Sequence, residues 1–392
     1  MSQDAVVIVA AQRTPLGAFQ GVLSPVKATD LSAVATRAAL DGCSLDPGTI
    51  DEVLLGCVLP AGLGQAPARQ AALAAGLPNS IPCTTINKVC GSGMKTTMLG
   101  HDLILAGSAN IVVAGGMESM SNAPYLMPKV RGGYRMGHQE VLDHMFFDGL
   151  QNPSDGKMMG YFAEVTAEKY GFSRAEQDDF AIASVTRARA AIAEGRFEKE
   201  IAPVKVRTRK GESEVSEDEG PGKANIEKIP TLRPAFKDEG TVTAASSSSI
   251  SDGAATLILM REKVAKERGV RILAKIAGHS SFAQEPEWFT TSPVFAIKAL
   301  HEKLGWDPGD VDLYEINEAF ACVTMAAMQD LGLAHEKTNV NGGACALGHP
   351  IGASGARIMV TLLHALHGRG GGRGIASLCI GGGEAVAIGI EA

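Results

Sequence analysis

The sequence predicts an α/β protein made of two similar halves, with a further segment inserted between them. Apolar residues make up 45% of the 392 residues but aromatic residues only 5%, which favours closely packed helices and strands over a core of bulky rings. Strand-like and helix-like segments alternate, and the pattern of the first third of the chain returns in the last third. A chain of this length is expected to form two or three packed units of about 100 to 200 residues.

The repeat begins with a turn that leads into a strand. The sequence DPGTID at residues 46–51 precedes the strand-like residues 52–55, and DPGDVD at residues 307–312 precedes the strand-like residues 313–316. An alanine-rich, helix-like stretch comes before each of these turns. The same succession of helix, turn and strand therefore occurs in both copies. Those helix-like stretches are residues 31–40 and 295–304.

Each copy continues to a glycine-rich turn at a similar distance. Cys90 lies 44 residues after Asp46, and His349 lies 42 residues after Asp307. Each copy then closes with a strand and a glycine run, GGME in the first and GGGE in the second. Two β/α halves related by a pseudo-twofold axis explain the matching order of elements in the two copies better than a solenoid does, because a solenoid needs more and shorter repeats. A site between the halves would take residues from both.

The middle of the chain has a different composition. Between residues 121 and 249, prolines, methionines and charges replace the alternating apolar segments, and Ser173 with Glu176 forms a capping-box pattern that opens a long helix toward Gly195. The small, polar residues 243–253 are expected to form a buried loop that a thin ligand can approach, with a surface linker as the alternative. We therefore predict three units. They are residues 1–120 with 250–270, the inserted residues 121–249, and residues 271–392.

Composition and motifs exclude several classes of function. The net charge of −7 argues against a general nucleic-acid binder, and no run of about 18 apolar residues or N-terminal signal in residues 1–6 predicts a membrane span or export. Seven scattered cysteines with no C-x-x-C pair predict neither a disulfide framework nor a metal site, so we expect reduced thiols in a cytoplasmic compartment. No nucleotide-binding glycine motif opens a helix.

Three glycine-rich turns contain the candidate catalytic residues. Cys90 precedes a helix-like run at residues 92–106, so its sulfur is expected to face a helix N-terminus whose amides favour a thiolate. His349 precedes a helix that begins near Ile351, a place from which an imidazole can take the thiol proton. Cys379 ends a strand and is suited to move a proton in a second step. A lone cysteine is more often a packing residue, but the joint placement of all three favours thiol chemistry.

Asn317 follows the strand-like residues 313–316 of the second copy. Its amide is suited to hold a water molecule or an oxyanion near the site, while the alternative is an N-cap of the next helix. The remaining cysteines have no comparable setting and are expected to be packing residues. They are Cys43, Cys57, Cys83, Cys322 and Cys345.

Taken together, the motifs resemble those of the thiolase family, and especially its acetyl-CoA acetyltransferase branch. The resemblance extends over essentially the whole chain, and the motifs in combination are highly specific. They are RTP at residues 13–15, CGSG at 90–93, GGMESMS at 115–121, NEAF at 317–320, NGGA at 341–344, GHPIGASG at 348–355 and CIGGG at 379–383.

The resemblance implies a fold and a set of roles. The fold is a five-layer αβαβα arrangement of two duplicated halves with an inserted loop domain. Cys90 would carry the acyl group, His349 would activate Cys90, and Cys379 would take the α-proton of the second substrate. One oxyanion hole would consist of His349 and a water held by Asn317, and a second of the backbone amides of Cys90 and Gly381.

The resemblance also implies residues that bind coenzyme A (CoA) and the acyl group. Ser248 would meet the pantetheine arm, and Ala319 and Phe320 would line the same tunnel. The family is commonly a homotetramer, a dimer of dimers, and residues 129–137 are similar to its tetramerisation loop.

The chain departs from the family pattern at one place in the inserted segment. Short-chain biosynthetic members often carry a histidine where this chain has Met158, which is followed by Met159. A flexible thioether there would loosen acetoacetyl specificity or admit a longer or branched acyl chain. Phe236 and Phe289 are expected to face the same pocket and to keep it small.

The implied activity is the reversible Claisen condensation of two acetyl-CoA molecules to acetoacetyl-CoA and CoA, with these CoA thioesters as substrates and no other cofactor. A degradative 3-ketoacyl-CoA thiolase of broader chain length is the alternative. A non-catalytic scaffold that binds CoA or a protein is the alternative from a different class. A decarboxylating ketosynthase needs a Cys-His-His site and a hydroxymethylglutaryl-CoA synthase needs a glutamate acid/base, so the second cysteine disfavours both.

Overall fold

The structure is a computed structural model that describes residues 4–209 and 211–392. Residues 1–3, which belong to the N-terminal segment in which no export signal is predicted, lie outside the described residues. The strands are β1 (Val6–Arg13), β2 (Gly17–Ala18), β3 (Glu52–Gly56), β4 (Cys83–Ile86), β5 (Ile111–Ser119), β6 (Tyr125–Leu126), β7 (Leu142–Asp143), β8 (Val204–Thr208), β9 (Gly211–Val215), β10 (Ser251–Arg261), β11 (Ala274–Ala283), β12 (Leu313–Ile316), β13 (Arg373–Ile380) and β14 (Glu384–Glu391). The helices are α1 (Ala28–Cys43), α2 (Pro67–Ala74), α3 (Ser92–Ala106), α4 (Met159–Tyr170), α5 (Arg174–Ala193), α6 (Glu219–Lys223), α7 (Glu262–Arg268), α8 (Ser292–Leu304), α9 (Ala321–Leu331), α10 (Ala344–Leu347) and α11 (Ser354–Gly368).

The main strands pair in the order β12-β13-β14-β11-β1-β10-β5-β3-β4. Strands β1 and β11 join through only two residue pairs, Val7 with Lys275 and Ile8 with Ala274. The order therefore divides into two similar sheets at this junction. In each sheet the strand after the DPG turn (β3 or β12) is parallel to the strand that leads to the glycine run (β5 or β13), and that strand is antiparallel to the next (β10 or β14). The pairing confirms the duplication.

Three apolar clusters place the helices in layers. The central cluster joins α3 and α11 to one face of both sheets, with Leu257 of β10 and Leu378 of β13 among its members. Residues an odd number of positions away along the same strand point the other way, because side chains alternate along a strand. Ile258 packs with α1 and α2 in a second cluster, and Ile375 packs with α8 and α9 in a third. The order of layers is helix, sheet, helix, sheet, helix, as the sequence predicts.

The predicted helices and their observed bounds agree closely. Helix α3 spans the expected residues 92–106, and α5 begins after Ser173, whose side chain and that of Glu176 form the predicted capping box. Helix α11 begins at Ser354, three residues later than expected, because the backbone amides of residues 353 and 354 donate to the carbonyl of Pro350 in a preceding turn.

The inserted segment contains α4 to α6 and the β8–β9 hairpin. The loop before β10 is only partly buried, in contrast to the expected buried loop: Thr243, Ser246 and Ser247 are buried, while Ala244 and Ser249 are exposed. Strand β10, which follows that loop, pairs with β1 and β5 of the first half. The division at residues 120, 249 and 270 stays a prediction. Within the described ranges, no helix is both long and apolar enough to cross a membrane.

Candidate active site

Cys90 lies in a sharp turn between β4 and α3. Val89 before it has φ +46°, a left-handed conformation that is unusual for a β-branched residue. The hydroxyl of Ser92 fixes this turn, because it donates to the carbonyl of Val89 at 2.6 Å and accepts from the amide of Lys88 at 2.8 Å. Cys90 is thereby held at the start of α3, where the sequence predicts it.

The thiol of Cys90 is protonated in the resting structure at neutral pH. Burial raises the pKa of Cys90 to about 11, the backbone amides of Gly381 and Cys90 lower it, and the nearby carboxylate of Glu118 raises it further. The amides act as the position at a helix N-terminus predicts. The lost hydration nevertheless outweighs the amides, so the net pKa of Cys90 lies above its ordinary value. A base is therefore needed to take the proton.

His349 has the environment of such a base. Its ring is buried, with 6% exposed, and its Nδ1 lies 2.5 Å from the hydroxyl of Ser354, which donates its one hydrogen to the carbonyl of Pro350 at 2.9 Å. The Ser354 oxygen must then accept from Nδ1–H, which leaves the lone pair on Nε2. Nε2 has no hydrogen-bond partner among the described residues. Burial, assisted by the positive charge of Arg357, lowers the pKa of His349 to about 3, so the ring is neutral.

Cys379 approaches Cys90 from the other half. It lies near the end of β13, is fully buried, and its pKa is raised well above the ordinary value by burial and by the neighbouring Cys90 and Cys322. A Cβ atom on Gly91 would clash with Ile380, so the turn of Cys90 and the end of β13 are in close contact. The two thiols thus belong to one site.

Asn317 is 1% exposed and directly follows β12. Its backbone amide donates to the carbonyl of Ser377 at 3.0 Å, while its side-chain Oδ1 and Nδ2 have no partner among the described residues. A buried amide with free donor and acceptor is unusual and suits a bound polar group. The alternative interpretation as a helix N-cap is wrong, because α9 begins at Ala321 with Phe320 at the N-cap.

A buried carboxylate that the sequence analysis missed fastens the two halves together. Glu118 accepts the amides of Val58 at 2.9 Å, Leu59 at 3.1 Å and Gly352 at 3.0 Å. Gly352 follows His349 in the second half, so Glu118 fixes the histidine turn against the first half. The GGME motif that contains Glu118 was the available signal, but it was interpreted as the end of the repeat and as a family motif, with no role for the carboxylate.

Two further supporting residues were also missed. Ser354, in the GHPIGASG motif, sets the tautomer of His349 as described above. Glu318 is the residue after Asn317, and its carboxylate accepts hydrogen bonds from the hydroxyl of Ser184 at 2.7 Å and from the side-chain Nδ2 of Asn339 at 2.9 Å. It therefore anchors the Asn317 loop to α5 of the inserted segment.

An apolar cavity of about 210 Å³ opens beside His349. Cys90 packs against a cluster that contains the lining residues Met120 and Ile351, and Cys379 belongs to a cluster that contains Phe320, with Met159 packed against it. Both cysteines therefore pack against clusters that contribute to the cavity wall, although neither lines the cavity itself. The lining residues are Met120, Phe146, Leu150, Met158, Met159, Gly160, Phe236, Ser248, Ser249, Ile250, Phe320, His349 and Ile351.

The loop that carries Ser248 is fixed on two sides. The amide of Ser248 donates to the carbonyl of Ala319 at 2.9 Å, and Ser247 pairs with Phe320. The amide of His349 donates to the carbonyl of Ser249 at 3.0 Å. The predicted pantetheine residue Ser248 and the turn of His349 therefore share one hydrogen-bonded wall of the cavity.

Most of the predicted acyl-pocket residues line the cavity, but Phe289 does not. Met158, Met159 and Phe236 face it, and Gly160 lets the ring of Phe236 come close, since a Cβ there would clash with the ring. Phe289 is buried behind Phe320, with ring centroids 6.5 Å apart. It supports the wall from behind, and Ala319 contributes to the same apolar cluster.

The fold and the site define an α/β enzyme with a buried centre of two cysteines and a histidine between duplicated halves. Comparison with known families assigns it further. Residues 6–263 match the model of the thiolase N-terminal domain, and residues 270–392 match that of the thiolase C-terminal domain. The chain belongs to the thiolase family.

Individual relatives are similar over their full length. An acetyl-CoA acetyltransferase of Schizosaccharomyces pombe is 49% identical over 393 residues, covering 100% of both chains, and one of Pseudomonas aeruginosa is 50% identical over 385 residues, covering 98% of each. Among solved structures, a thiolase from Ascaris suum in complex with coenzyme A has a TM-score of 0.94, and the acetyl-CoA acetyltransferase of Bacillus anthracis has one of 0.97. Both structures are 42% identical to this chain and match over 99% of each chain.

Proposed function

We propose that the protein is an acetyl-CoA C-acetyltransferase, which condenses two acetyl-CoA molecules to acetoacetyl-CoA and CoA and catalyses the reverse thiolysis. The observation that carries the proposal is the buried, neutral His349, whose free Nε2 lies in one site with two protonated thiols. Relatives of that name at about half identity over the whole chain support the same reaction.

In the first half-reaction Cys90 becomes acetylated. Nε2 of His349 takes the thiol proton, and the Cys90 sulfur attacks the carbonyl carbon of acetyl-CoA. The C–S bond to CoA breaks, and the leaving CoA thiolate takes the proton of Cys379, which becomes a thiolate. Because its pKa is raised, Cys379 keeps its proton until that step.

The second half-reaction uses the thiolate left on Cys379. It takes the α-proton of a second acetyl-CoA, and the resulting carbanion attacks the acetyl carbonyl on Cys90. The C–S bond to Cys90 breaks, acetoacetyl-CoA is released, and the imidazolium of His349 returns its proton to the Cys90 sulfur. All three residues are then in their starting states, so the cycle balances.

Two sets of hydrogen-bond donors would stabilise the oxyanions. One is His349 with a water held by the unpartnered amide of Asn317, and the other is the pair of backbone amides of Cys90 and Gly381, which already act on the Cys90 sulfur. Loss of one donor of this kind typically costs about 3 kcal/mol of transition-state stabilisation.

The cavity supports a preference for a short acyl group. Its volume of about 210 Å³ and its apolar lining leave limited room beyond the reacting carbons, and Phe236 narrows it next to Gly160. Met158 supplies no hydrogen bond where short-chain relatives often have a histidine. This flexible side chain favours the second candidate, a 3-ketoacyl-CoA thiolase of broader chain length, and the chain-length series that ends the Discussion separates the two.

Acetyl-CoA, acetoacetyl-CoA and CoA are the proposed ligands, with Ser248, Ala319 and Phe320 along the pantetheine arm. We infer a homotetramer that uses the segment at residues 129–137, where Val130 and Met136 are exposed, Met136 by 91%. All seven cysteines are free, which fits a reducing, cytoplasmic compartment.

A condensation assay tests the proposed reaction. Incubation with acetyl-CoA alone should yield acetoacetyl-CoA and free CoA in equal amounts, and both should be absent from a Cys90→Ala control. If no product forms and Cys90 remains unmodified while CoA still binds, the protein is a scaffold rather than an enzyme.

A further inference from the structure

Three side chains of metal-binding type meet where α3 packs against β11. Nδ1 of His101 lies 3.0 Å from Oδ1 of Asp102, and Nε2 of His279 lies 2.9 Å from the same oxygen. The two rings stand edge to face, with centroids 5.1 Å apart. Within the part of the chain that the structure describes, the three potential ligand atoms all lie within 4.8 Å of one another.

Two side chains of the cluster are largely buried, and the third is exposed to solvent. The side chains of His101 and His279 are only 11% and 14% exposed, while that of Asp102 is 52% exposed. The amine of Lys303 donates to the backbone carbonyl of His279 at 2.9 Å and leaves the ring nitrogens free of that lysine. The imidazoles are therefore largely enclosed, and a cation can reach them from the side of Asp102.

We propose that His101, Asp102 and His279 form a site for a divalent transition metal, with Zn²⁺ as the best match. Two imidazole nitrogens and one carboxylate oxygen are common zinc ligands, and solvent would occupy the fourth position. Zinc bonds of 2.0–2.1 Å in a tetrahedral arrangement need ligand separations of roughly 3.4 Å. The Asp102 oxygen lies 3.0 and 2.9 Å from the two ring nitrogens, so its exposed side chain must move outward by about half an ångström to reach this geometry. The two nitrogens, which lie within 4.8 Å of each other, must also settle at the tetrahedral separation, so the rings have to adjust together with Asp102.

Metal binding also requires a change of tautomer. In the metal-free cluster both ring nitrogens donate to the carboxylate, because a carboxylate offers only acceptors. The metal needs the lone pairs of Nδ1 of His101 and Nε2 of His279, so the hydrogen of each ring must be carried by its other nitrogen when the metal is bound. The metal then takes the place of the two hydrogen bonds to the carboxylate.

The site is separate from the catalytic centre. His101 lies eleven residues beyond Cys90, which is about 16 Å along the helical direction. The ligands come from α3 of the first half and β11 of the second. A bound metal would therefore link the two halves and stabilise the native state, because the unfolded chain does not hold these residues together.

A cobalt titration tests the site directly. The protein is first alkylated at Cys90, so that the reactive thiol cannot bind metal, and Co²⁺ is then added while the visible and near-ultraviolet absorption is recorded. We expect one equivalent to bind, with d–d bands of a nitrogen and oxygen site and no thiolate-to-cobalt charge-transfer band. Zn²⁺ should displace the cobalt and raise the melting temperature.

Matched variants complete the test. His279→Gln and His101→Gln should each weaken Co²⁺ binding at least tenfold, whereas His335→Gln, a histidine stacked on Phe180 elsewhere, should not change it. Unalkylated His279→Gln should retain thiolysis activity, which shows that it folds. The proposal would be overturned if His101→Gln and His279→Gln bound Co²⁺ as tightly as the wild type does. A cysteine-to-cobalt charge-transfer band, or no Co²⁺ binding to the wild type, would overturn it as well.

Discussion

At the scale of single residues, the reactivity of Cys90 depends on a neighbour rather than on its own acidity. Burial raises the pKa of Cys90 to about 11, so the thiol holds its proton at neutral pH, while His349 is neutral with a pKa of about 3. Proton transfer to Nε2 must therefore accompany attack on the substrate. The first prediction concerns this resting state.

The alkylation rate of Cys90 should rise steadily with pH. A thiol with a raised pKa is mostly protonated below that pKa, so its thiolate fraction increases about tenfold per pH unit from pH 7 to pH 10. The rate constant for iodoacetamide, followed by the mass of the Cys90 peptide, should follow that fraction. A rate that is already level at pH 7 would instead reveal a preformed thiolate–imidazolium pair.

Cys90→Ala should abolish formation of the acetyl-enzyme. The expected result after treatment with acetyl-CoA is an unchanged intact mass, because the nucleophilic sulfur is gone. Cys83→Ala, at the start of β4, is the matched control and should still gain one acetyl group. Detection of an acetylated Cys90→Ala protein would assign the nucleophile to another residue.

Ser354→Ala should lower kcat of the condensation about tenfold with little change in KM. Loss of the hydroxyl that accepts from Nδ1–H removes the preference for the tautomer with a free Nε2, and a change of about 1.4 kcal/mol corresponds to a factor of ten. Ser354→Thr keeps the hydroxyl and should retain most of the activity. Steady-state kinetics compare the variants, and full kcat in Ser354→Ala would show that the tautomer is set by other contacts.

Sequence could predict the residues that are proposed to react but not the groups that tune them. Cys90 and Cys379 lie at the ends of strand-like segments beside glycine-rich turns, and His349 lies within a glycine-rich turn, a local pattern that is visible in the chain. The hydroxyl of Ser354 and the carboxylate of Glu118 act through distances that depend on packing between the halves. The pKa of Cys90 could not be predicted for the same reason, because burial raises it while the backbone amides lower it, and both effects depend on packing.

At the scale of elements, the site depends on a close crossing of α3 and α11. A Cβ on Gly93 would lie 2.8 Å from the backbone nitrogen of Ala356, and one on Gly355 would clash with the backbone of Met94. The two helices thus touch through their backbones directly below the turns of Cys90 and His349. A side chain at position 93 or 355 would not fit between the two backbones, so glycine is required at both positions.

Gly93→Ala should therefore destabilise the protein by about 2 kcal/mol, the typical cost of overpacking, and should reduce thiolysis because the helices that carry both turns move apart. Gly42→Ala is the control, since no atom lies within 4 Å of its Cβ position in the exposed end of α1. That change should be neutral or stabilise by about 0.5 kcal/mol. Denaturant unfolding compares the two variants, and equal stabilities would contradict the packing argument.

Helices were predicted well where a local signal marks their ends. The bounds of α3 and the capping box of α5 follow from glycines and from Ser173 with Glu176. The start of α11 was less well predicted, because a turn closed on the carbonyl of Pro350 precedes it. Contacts between elements, such as the meeting of His279 on β11 with Asp102 on α3, have no local signal at a separation of 177 residues.

At the scale of the whole molecule, duplication creates the site. The first half brings the glycine-rich turn of Cys90 to the centre and the second half brings those of His349 and Cys379, and Glu118 fastens the Cys90 half to the histidine turn. The repeat was visible in the sequence because both copies keep the DPG turn and the glycine run. The cavity volume was not, since it depends on how the inserted segment places Met158 and Phe236 against the second half.

The measurement that tests the central claim most directly is CoA-dependent thiolysis of a series of 3-ketoacyl-CoA substrates, from acetoacetyl-CoA to longer chains, with kcat/KM determined for each. An acetyl-CoA acetyltransferase with this small cavity should give its highest kcat/KM with acetoacetyl-CoA and a steep decline for longer chains. A higher kcat/KM for longer substrates would contradict the acetyl assignment in favour of a broader 3-ketoacyl-CoA thiolase, and no turnover of any substrate would contradict the assignment as an enzyme.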